Sequence, residues 1–460
     1  MVFSTAGFLF AFLPLVLLLE RFCRSIRAKN LLLAIASLLF YAFGQLGYVP
    51  LFLLSILINY LAGLLLQREN SPRKAVLTLA VVLNLGLLGI FKYTDFVLQN
   101  LGLPPVGIVL PIGISFFTFQ GMSYVIDVYR EPESGTRDFG KLLLYIAFFP
   151  QLIAGPIVKY HDIAAQIDAR STDPERSEAG MRRFIRGLAK KLLIADGVGK
   201  IADAVFNGGT GDIRLAWLGA ICYMLQIYYD FSAYSDMAIG MGHLFGFTIR
   251  ENFLHPYASA SIREFWRRWH ISLSSWFKEY LYIPLGGNRK GKARTALNRL
   301  LVFFCTGIWH GANWTFVVWG LGHGLLSSLE GWGILPADRL QKTRAGRLVG
   351  RLYTLLAVTL LFVVFRADSL SAAGSMLSAM FAGSVSAAGT VELIRLLQPA
   401  SLLTLTLAIL FAGGLREKLY ARLSAPVFRH LARAGSLLLL LLSILSLSTG
   451  GFHPFIYFQF

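Results

Sequence analysis

Cysteine and charge are both scarce in this 460-residue chain. The only cysteines are Cys23, Cys222 and Cys305, which are scattered, so neither a disulfide framework nor a thiolate metal site is expected. Only 15% of the residues are charged. The sequence also lacks a G-x-S-x-G elbow, a phosphate-binding P-loop, an H-E-x-x-H motif and a C-x-x-C pair. These absences argue against soluble hydrolase, ATPase and zinc chemistry, and we expect no metal.

Apolar residues are abundant instead, at 55% of the chain with a mean hydropathy of +0.60. A helix needs roughly 20 apolar residues to cross the bilayer, and several runs approach that length. The runs are Phe8 to Leu19, Leu31 to Phe43, Leu51 to Leu66, Val76 to Ile90, Ile108 to Ile126, Leu142 to Val158, Leu215 to Ile239, Leu300 to Leu326, Leu352 to Phe365, Leu402 to Leu415 and Leu437 to Leu447. The pattern predicts an all-α integral membrane protein, a single polytopic domain over residues 1–460 with about eleven transmembrane or re-entrant helices.

The net charge of +18 reflects Lys and Arg in the short loops between apolar runs. Such residues hold loops in the cytoplasm and contact anionic lipids, so this charge does not indicate nucleic acid binding. The basic stretch Arg21 to Lys29 should lie inside, whereas the uncharged connection Gly44 to Pro50 should lie outside. We therefore expect a multi-pass protein of the cell inner membrane whose N-terminus faces the periplasm.

The run Leu142 to Val158 differs from the others because it contains Pro150, Gly155 and Pro156, which interrupt helices. A re-entrant hairpin is therefore predicted there. Broken helices in membranes occur only where they line a protein-walled cavity. The active site is accordingly expected in the middle third of the chain.

Two segments have one apolar helical face and are predicted to lie in the membrane interface. In the first, Met181, Phe184, Ile185, Leu188 and Leu192 share a face, with Arg182, Arg183, Arg186, Lys190 and Lys191 over the rest. In the second, the face is Ile262, Phe265, Trp266, Trp269, Leu273, Trp276, Phe277 and Tyr280, bordered by Arg263, Arg267, Arg268 and Lys278. Tryptophan favours the lipid headgroup boundary, so we expect the second face to lie there.

Two of the eight histidines are candidates for chemistry. His310 lies inside an apolar stretch between Gly307 and Trp314, where a buried imidazole is costly unless it has partners or a function. His270 lies in the second amphipathic segment, where an interfacial histidine with no catalytic role is equally consistent with its position. Asp230 and Asp236, within Tyr228 to Asp236, are expected to pair with arginines as structural support rather than to act in catalysis.

The chain resembles the membrane-bound O-acyltransferase family, and in particular its bacterial alginate and peptidoglycan O-acetylation branch. The resemblance rests on LPIGISFFTFQ from Leu110 to Gln120, FFPQLIAGPI from Phe148 to Ile157, YYDFSAYSDMAIG from Tyr228 to Gly240, EFWRRWHISLSSWFKEYLYIPLGGNRKG from Glu264 to Gly291 and GIWHGANWTFVVWG from Gly307 to Gly320. It implies a ring of tilted helices around a central funnel. The family's essential histidine falls on His310 and its second conserved histidine on His270.

The resemblance further implies an O-acyltransferase, most consistently an O-acetyltransferase, that acts on an exported polysaccharide such as alginate. The donor would be acetyl-CoA or another cytoplasmic thioester, with no bound cofactor, and a periplasmic SGNH-type acyltransferase is the expected partner. His310 would act as general base, or would stabilise developing charge, with His270 as its partner. The residues expected to contact substrate are Trp309, Asn313, Arg267, Arg268, Asp230 and Tyr234.

Two alternatives remain at this stage. The same fold supports D-alanyl transfer to teichoic acid from a carrier protein. A proton-coupled transporter, with His310 and Asp230 as its relay, belongs to a different functional class. Phosphate contacts of Arg267 and Arg268 could equally involve lipid headgroups rather than a donor.

Overall fold

The computed structural model describes residues 2–415, 424–449 and 454–456, and these fold almost entirely into helices. No β-strand forms among them, and one isolated bridge joins Asp212 to Ser384. The predicted all-α class is therefore confirmed. Of the eight histidines, His453 lies outside the described residues.

The first ten helices, up to residue 208, are α1 (Leu13–Phe22), α2 (Ile26–Gln45), α3 (Val49–Leu66), α4 (Arg73–Asn100), α5 (Ile114–Arg130), α6 (Phe139–Ala147), α7 (Phe149–Leu152), α8 (Tyr160–Asp168), α9 (Pro174–Ala189) and α10 (Asp196–Gly208). They are followed by α11 (Ile213–Leu244), α12 (Ile262–Arg268), α13 (Ile271–Phe277), α14 (Gly291–His310), α15 (Trp314–Trp332), α16 (Ala337–Leu340), α17 (Arg344–Arg366), α18 (Leu370–Ala382), α19 (Ala387–Leu396), α20 (Pro399–Ala412) and α21 (Ala425–Thr449). Wider π-helical turns occur at Phe8–Phe12, Lys190–Ala195 and Lys278–Tyr282.

The chain packs as two compact units. The first comprises Met1–Phe184 and Tyr234–Glu251, and the second comprises Ile185–Ala233 and Asn252–Phe460. Helix α11 contributes its N-terminal part to the second unit and its C-terminal part to the first. The expectation of a single domain over residues 1–460 stays a prediction.

Four helical segments among the described residues are long and apolar enough to cross a membrane, and a bent pair makes a fifth if it counts as one span. The four are Ile26–Leu66, Arg73–Asn100, Arg344–Arg366 and Pro426–Thr449, and the pair consists of α19 and α20, bent by 76°. Length and composition thus agree with a multi-pass membrane protein. The count of about eleven segments stays a prediction.

Helix α3 shows the polarity expected of a membrane helix. Leu54 and Leu61 on its outer surface are exposed, whereas Asn59 is completely buried. The Asn59 amide exchanges hydrogen bonds with Asn84 of α4, at 2.9 and 3.1 Å. Because lipid cannot satisfy an amide, the two asparagines face each other between helices, and this pairing helps to fix α3 against α4.

The interruption predicted in Leu142 to Val158 is present in the first unit. Helix α6 ends at Ala147, and a new helical turn begins at Phe149, with Pro150 in its first positions. Proline lacks the amide hydrogen that a continuous helix needs at this position. The Gln151 side chain donates to the carbonyl of Tyr145 at 2.8 Å and so satisfies a backbone group at the break. Placement of this segment as a re-entrant hairpin in the membrane stays a prediction.

The second amphipathic segment departs from the sequence expectation in two ways. It is two helices, α12 and α13, because the chain turns sharply at His270. The predicted apolar face is fully buried within the protein, including Trp266, Trp269 and Trp276. The rings pack against one another and against neighbouring side chains. Their position at the lipid headgroup boundary stays a prediction.

The first amphipathic segment follows the expected pattern only in part. Phe184, Ile185 and Leu188 are buried, but Met181 is exposed. Lys191 was assigned to the polar surface and is instead buried. It lies in the π-helical turn Lys190–Ala195, which adds a residue to the turn, so a periodicity of 3.6 residues assigns the wrong face there.

Close packing of α14 against α15 positions the end of α14. A methyl group added at Gly307 would collide with the carbonyl oxygen of Phe316, and one at Gly320 would collide with that of Phe303. Small residues of this kind let two helix backbones approach closely in a membrane. The C-terminus of α14, at His310, is therefore held against α15.

Candidate functional site

The second unit places His310 at the last position of α14, where it is 5% exposed. Its imidazole lies edge-on to two aromatic rings, with centroids 5.1 Å from Trp319 and 5.2 Å from Phe365. The chain then leaves the helix through Gly311, where a side chain would overlap the ring of Phe316. The lack of a side chain at Gly311 thus leaves room for aromatic rings to enclose the His310 imidazole.

His270 lies between α12 and α13 and is completely buried. Its backbone φ of 43° falls in the left-handed region, which residues other than glycine seldom adopt. A non-glycine residue in this conformation costs about 1–2 kcal/mol. The surrounding packing must therefore hold the imidazole in place, as is common at functional sites.

The Asn252 side chain fixes the orientation of the His270 ring. Its Oδ1 accepts from the backbone amide of Ser272 at 3.1 Å and from the Ser272 hydroxyl at 2.9 Å. His270 Nδ1 lies 3.3 Å from the same oxygen. Because an oxygen acceptor requires a donor, we assign the His270 proton to Nδ1. The Nε2 atom then carries the lone pair.

The two imidazoles face a shared aromatic environment. Their ring centroids lie 6.5 Å apart, and the Trp309 ring lies 6.0 Å from His270 and 5.0 Å from His310. Because burial removes water from the ring, the pKa of His270 is lowered to about 3. An imidazole of this kind stays neutral near pH 7, where its Nε2 atom can accept a hydrogen bond.

Of the other residues expected to contact substrate, Trp309 lies with the two histidines. Asn313, three residues after His310, is the N-cap residue that precedes α15. Its Oδ1 accepts from the amide of Thr315 at 3.1 Å, and its side-chain amide donates to the carbonyl of Asp368 at 2.9 Å. These bonds cap α15 and tie it to the loop after α17, so Asn313 has a structural role beside the histidines.

Asp230 is buried and fully engaged elsewhere in the second unit. Its Oδ1 lies 2.6 Å from the Lys191 ammonium, and its Oδ2 accepts from the backbone amide of Ile456 at 2.7 Å. Lys191 also pairs with Asp196 at 2.8 Å and lies 4.8 Å from the Phe455 ring. This arrangement agrees with the interpretation of Asp230 as structural support, but its cation is Lys191 and not the predicted arginine. Asp236, in the first unit, does pair with an arginine, Arg183, at 2.9 Å.

The remaining three candidates are exposed or have other contacts. On α12, Arg267 is exposed, and Arg268 pairs with Glu264 at 2.7 Å. Tyr234 belongs to the first unit, where it is buried and its ring lies 4.6 Å from that of Phe3. The structure therefore groups His270, Trp309 and His310, and assigns other contacts to the remaining candidates.

Sequence analysis missed several residues that hold the histidines. Asn252 precedes His270 by 18 positions and carries no local motif, so nothing in the sequence links the two. Trp319 could have been noticed, because it lies in the same GIWHGANWTFVVWG stretch as His310 and contacts its ring. His323 was given no role, although it is completely buried and lies 5.2 Å from Trp319.

Comparison with known proteins identifies the family. The model of the membrane-bound O-acyltransferase family matches residues 42–334. The Pseudomonas putida protein named "Probable alginate O-acetylase AlgI" is 40% identical over all of both chains. The Peptidoglycan O-acetyltransferase of Helicobacter pylori is 37% identical over 83% of this chain and 80% of its own. The Teichoic acid D-alanyltransferase of Bacillus subtilis is 26% identical over 73% and 91%.

The chain belongs to the membrane-bound O-acyltransferase family. The predictions of this family, of its integral membrane all-α fold and of an acyltransferase activity are therefore confirmed. The transporter alternative is set aside, since the family transfers acyl groups and the proposed relay residue Asp230 is paired with Lys191.

Proposed function

We propose that this protein is an O-acetyltransferase that moves an acetyl group from a cytoplasmic thioester across the inner membrane to hydroxyls of an exported polysaccharide, with alginate as the first candidate. The observation that carries this proposal is the pair of buried imidazoles, His270 and His310, whose centroids lie 6.5 Å apart. The alginate O-acetylases, 40% identical over the full chain, support the choice of acetyl group and polysaccharide.

In this mechanism His310 is the general base and His270 its partner. His310 takes the proton of the acceptor hydroxyl while that oxygen attacks the thioester carbonyl carbon. The carbon–sulfur bond then breaks, and the departing thiolate receives the proton from His310. A thioester is already activated, so orientation, a dry site and one proton acceptor are sufficient for the transfer. The aromatic rings around His310 supply the dry site.

The donor is acetyl-CoA, and its phosphates meet basic residues at the cytoplasmic side. Arg267 is the better candidate for this contact because it is exposed, whereas Arg268 is paired with Glu264. Trp309 lines the space between the two histidines and contacts the acyl group. Arg267→Ala should weaken acetyl-CoA binding in calorimetry, while unchanged affinity would point to lipid phosphates as its partners.

The acetyl group passes to the polysaccharide through a periplasmic SGNH-type acyltransferase, and the N-terminus faces the periplasm. In a cysteine-free background, Gly47→Cys should react with a membrane-impermeant maleimide in intact cells, whereas Glu69→Cys should react only after lysis. The reverse pattern would overturn the orientation.

Affinity purification of the protein from crosslinked cells should recover an SGNH-type protein, and its repeated absence would argue for direct transfer.

The deciding experiment measures the acetyl content of exported polysaccharides in a deletion strain that carries wild-type, His310→Ala or His430→Ala protein. His430 is exposed on α21, which makes its variant a matched control. Loss of a general base lowers the rate by roughly 100-fold or more, so His310→Ala should restore no acetylation. Equal restoration by all three proteins, at matched membrane levels, would show that His310 is not the base.

D-alanyl transfer to teichoic acid is the second candidate, supported by a relative that is only 26% identical. The same strains distinguish it, because cell-envelope D-alanine rather than acetyl would then depend on His310.

A further inference from the structure

Helix α15 carries three buried polar side chains along one face. Thr315, Trp319 and His323 follow one another at intervals of four residues, so they lie on successive turns of the same face. Each is at most 1% exposed. Within the described residues, the Thr315 hydroxyl, the Trp319 indole nitrogen and both ring nitrogens of His323 have no hydrogen-bond partner. An unsatisfied buried polar group costs about 1–3 kcal/mol, so a face that carries several of them indicates a polar function.

Trp319 is the residue of this face whose ring contacts the proposed base. Its centroid lies 5.1 Å from that of His310, and the two ring planes are at 87° to each other. His323 lies 5.2 Å from Trp319 and makes no ring contact with His310 in the described part of the chain. The indole N–H group of Trp319 is therefore the unsatisfied donor of this face that lies beside the base.

Neighbouring rings hold the Trp319 indole in one orientation. Phe365 lies 4.9 Å from it, Trp266 lies 5.8 Å from it, and His323 packs on it as described above. An indole has one N–H donor and no acceptor. A fixed donor in a site without water stabilises negative charge more strongly than the same group does in water. Trp319 is therefore suited to donate to an anionic oxygen.

Acetyl transfer creates an anionic oxygen next to the base. When the acceptor hydroxyl attacks the thioester carbonyl carbon, one electron pair of the C=O bond moves onto the carbonyl oxygen. The imidazoles do not donate to this oxygen, because His310 receives the hydroxyl proton and the His270 proton is directed to Asn252. The attacking hydroxyl lies within hydrogen-bond reach of the base, and the carbonyl oxygen is bonded to the carbon under attack. A donor whose ring contacts the base can therefore reach that oxygen.

We propose that the indole N–H of Trp319 donates to the thioester carbonyl oxygen as this oxygen becomes negatively charged, which makes Trp319 a catalytic residue beside His310. The hydroxyl oxygen forms its bond to the carbonyl carbon and gives its proton to His310. The electron pair then returns from the carbonyl oxygen, the carbon–sulfur bond breaks, and the thiolate takes the proton from His310. Trp319 keeps its own proton throughout. This inference rests on the proposed function, because it takes the thioester reaction from it.

The first test compares two tryptophans that both lose an unsatisfied buried N–H. Trp319→Phe should lower kcat by about 100- to 1,000-fold with KM for acetyl-CoA changed by less than about threefold, because the donor acts on the charged intermediate. Trp266 is 9% exposed, its indole nitrogen also lacks a partner among the described residues, and its ring contacts there do not include His310. Trp266→Phe should therefore keep kcat within about threefold of wild type.

Acetyl transfer from labelled acetyl-CoA is measured in inside-out membrane vesicles of the deletion strain, with each rate divided by the amount of folded protein. Equal losses of kcat in the two variants would reduce Trp319 to a packing residue, and so would a loss at Trp319 that appears only in KM.

A second measurement changes the substrate atom instead of the side chain. Dithioacetyl-CoA replaces the carbonyl oxygen with sulfur, which is a weak hydrogen-bond acceptor. The preference of wild type for acetyl-CoA over this analogue should fall by about 10-fold or more in Trp319→Phe and should stay within about twofold in Trp266→Phe. A packing defect would slow both substrates alike, so an unchanged preference in Trp319→Phe would overturn the contact.

A third variant separates the N–H group from the shape of the ring. Benzothienylalanine at position 319 exchanges the indole N–H for sulfur and preserves the size of the ring system, so folding should be kept. This variant should lose kcat as Trp319→Phe does, whereas activity within about threefold of wild type would exclude the N–H group from the reaction.

Failure of this inference is distinguishable from failure of the proposed function. His310-dependent acetylation in cells together with full activity of the position 319 variants would overturn the role of Trp319 alone. Acetylation that does not depend on His310 would overturn both.

Discussion

The side-chain oxygen of Asn252 holds His270 in a left-handed backbone conformation. It does so by accepting hydrogen bonds from the backbone amide and the hydroxyl of Ser272, two residues after the turn. Asn252 thus connects the strained backbone of His270 with a single orientation of the His270 ring. It also sets the tautomer, because Nδ1 lies 3.3 Å from that oxygen. Asn252 is therefore a positioning residue for His270, the proposed partner of His310.

Asn252→Ala should lower kcat by up to about 100-fold with a smaller change in KM, because a displaced catalytic group affects the reacting geometry more than binding. Acetyl transfer from acetyl-CoA by the purified protein provides the measurement. A loss of folded protein without a loss of specific activity would show that the role of Asn252 is structural.

Asn252→Asp is the informative companion variant, since it keeps an acceptor at the same place. A carboxylate beside His270 favours the protonated ring and raises its pKa. The imidazole would then be protonated at a higher pH, so activity should fall at a higher pH than in wild type when the assay is acidified. An unchanged pH profile would mean that the His270 ring does not take part in the reaction.

The sequence anticipated the elements that depend on local pattern. Apolar length predicted the membrane helices, the Pro150 region predicted a broken helix, and the GIWHG motif predicted a buried His310. What it missed depends on tertiary contacts or on irregular backbone. The π-helical turn at Lys190–Ala195 shifted Lys191 into the interior, and the left-handed turn at His270 divided a helix that the periodicity treated as continuous.

Substitutions at His270 can separate the contribution of its backbone conformation to stability from the contribution of its ring to activity. Asparagine tolerates the left-handed region, so His270→Asn should fold nearly as stably as wild type but lose most acetyl transfer. His270→Val should be less stable by about 1–2 kcal/mol or more, because a β-branched residue is strained at positive φ. Thermal unfolding in detergent and acetyl transfer provide the two measurements. Full activity of His270→Asn would exclude the imidazole from the mechanism.

The buried ion pair between Lys191 and Asp230 is expected to support the fold. Lys191→Met leaves two carboxylates, Asp230 and Asp196, without their cation and should destabilise the protein by about 3–5 kcal/mol. The double variant Lys191→Met/Asp230→Asn should recover part of that loss. The change in unfolding free energy of the double variant, minus the sum of the two single-variant changes, gives the coupling energy of the pair. Lys190→Met, at the partly buried neighbouring position, is the control.

The alternative for Asp230 is contact with substrate, and the same variants decide between the two roles. If Asp230→Asn abolishes acetyl transfer while the unfolding temperature stays unchanged, the residue acts in the site. If activity falls only in proportion to folded protein, its role is to hold Lys191 and the backbone of Ile456.

Close contact of α14 with α15 should contribute to activity, because it positions His310 at the end of α14. A methyl group at Gly320 meets the Phe303 carbonyl oxygen and the backbone of Gly307, neither of which can move without displacing α14. Gly320→Ala should therefore shift His310 and lower acetyl transfer by about 10-fold or more, since small displacements of a reacting group have effects of this size.

Gly86→Ala on α4 is the matched control, because nothing lies within 4 Å of the added carbon. That control should be neutral or stabilising by up to about 1 kcal/mol, as alanine favours the helix over glycine. Equal behaviour of the two variants would show that the spacing of α14 and α15 does not position His310.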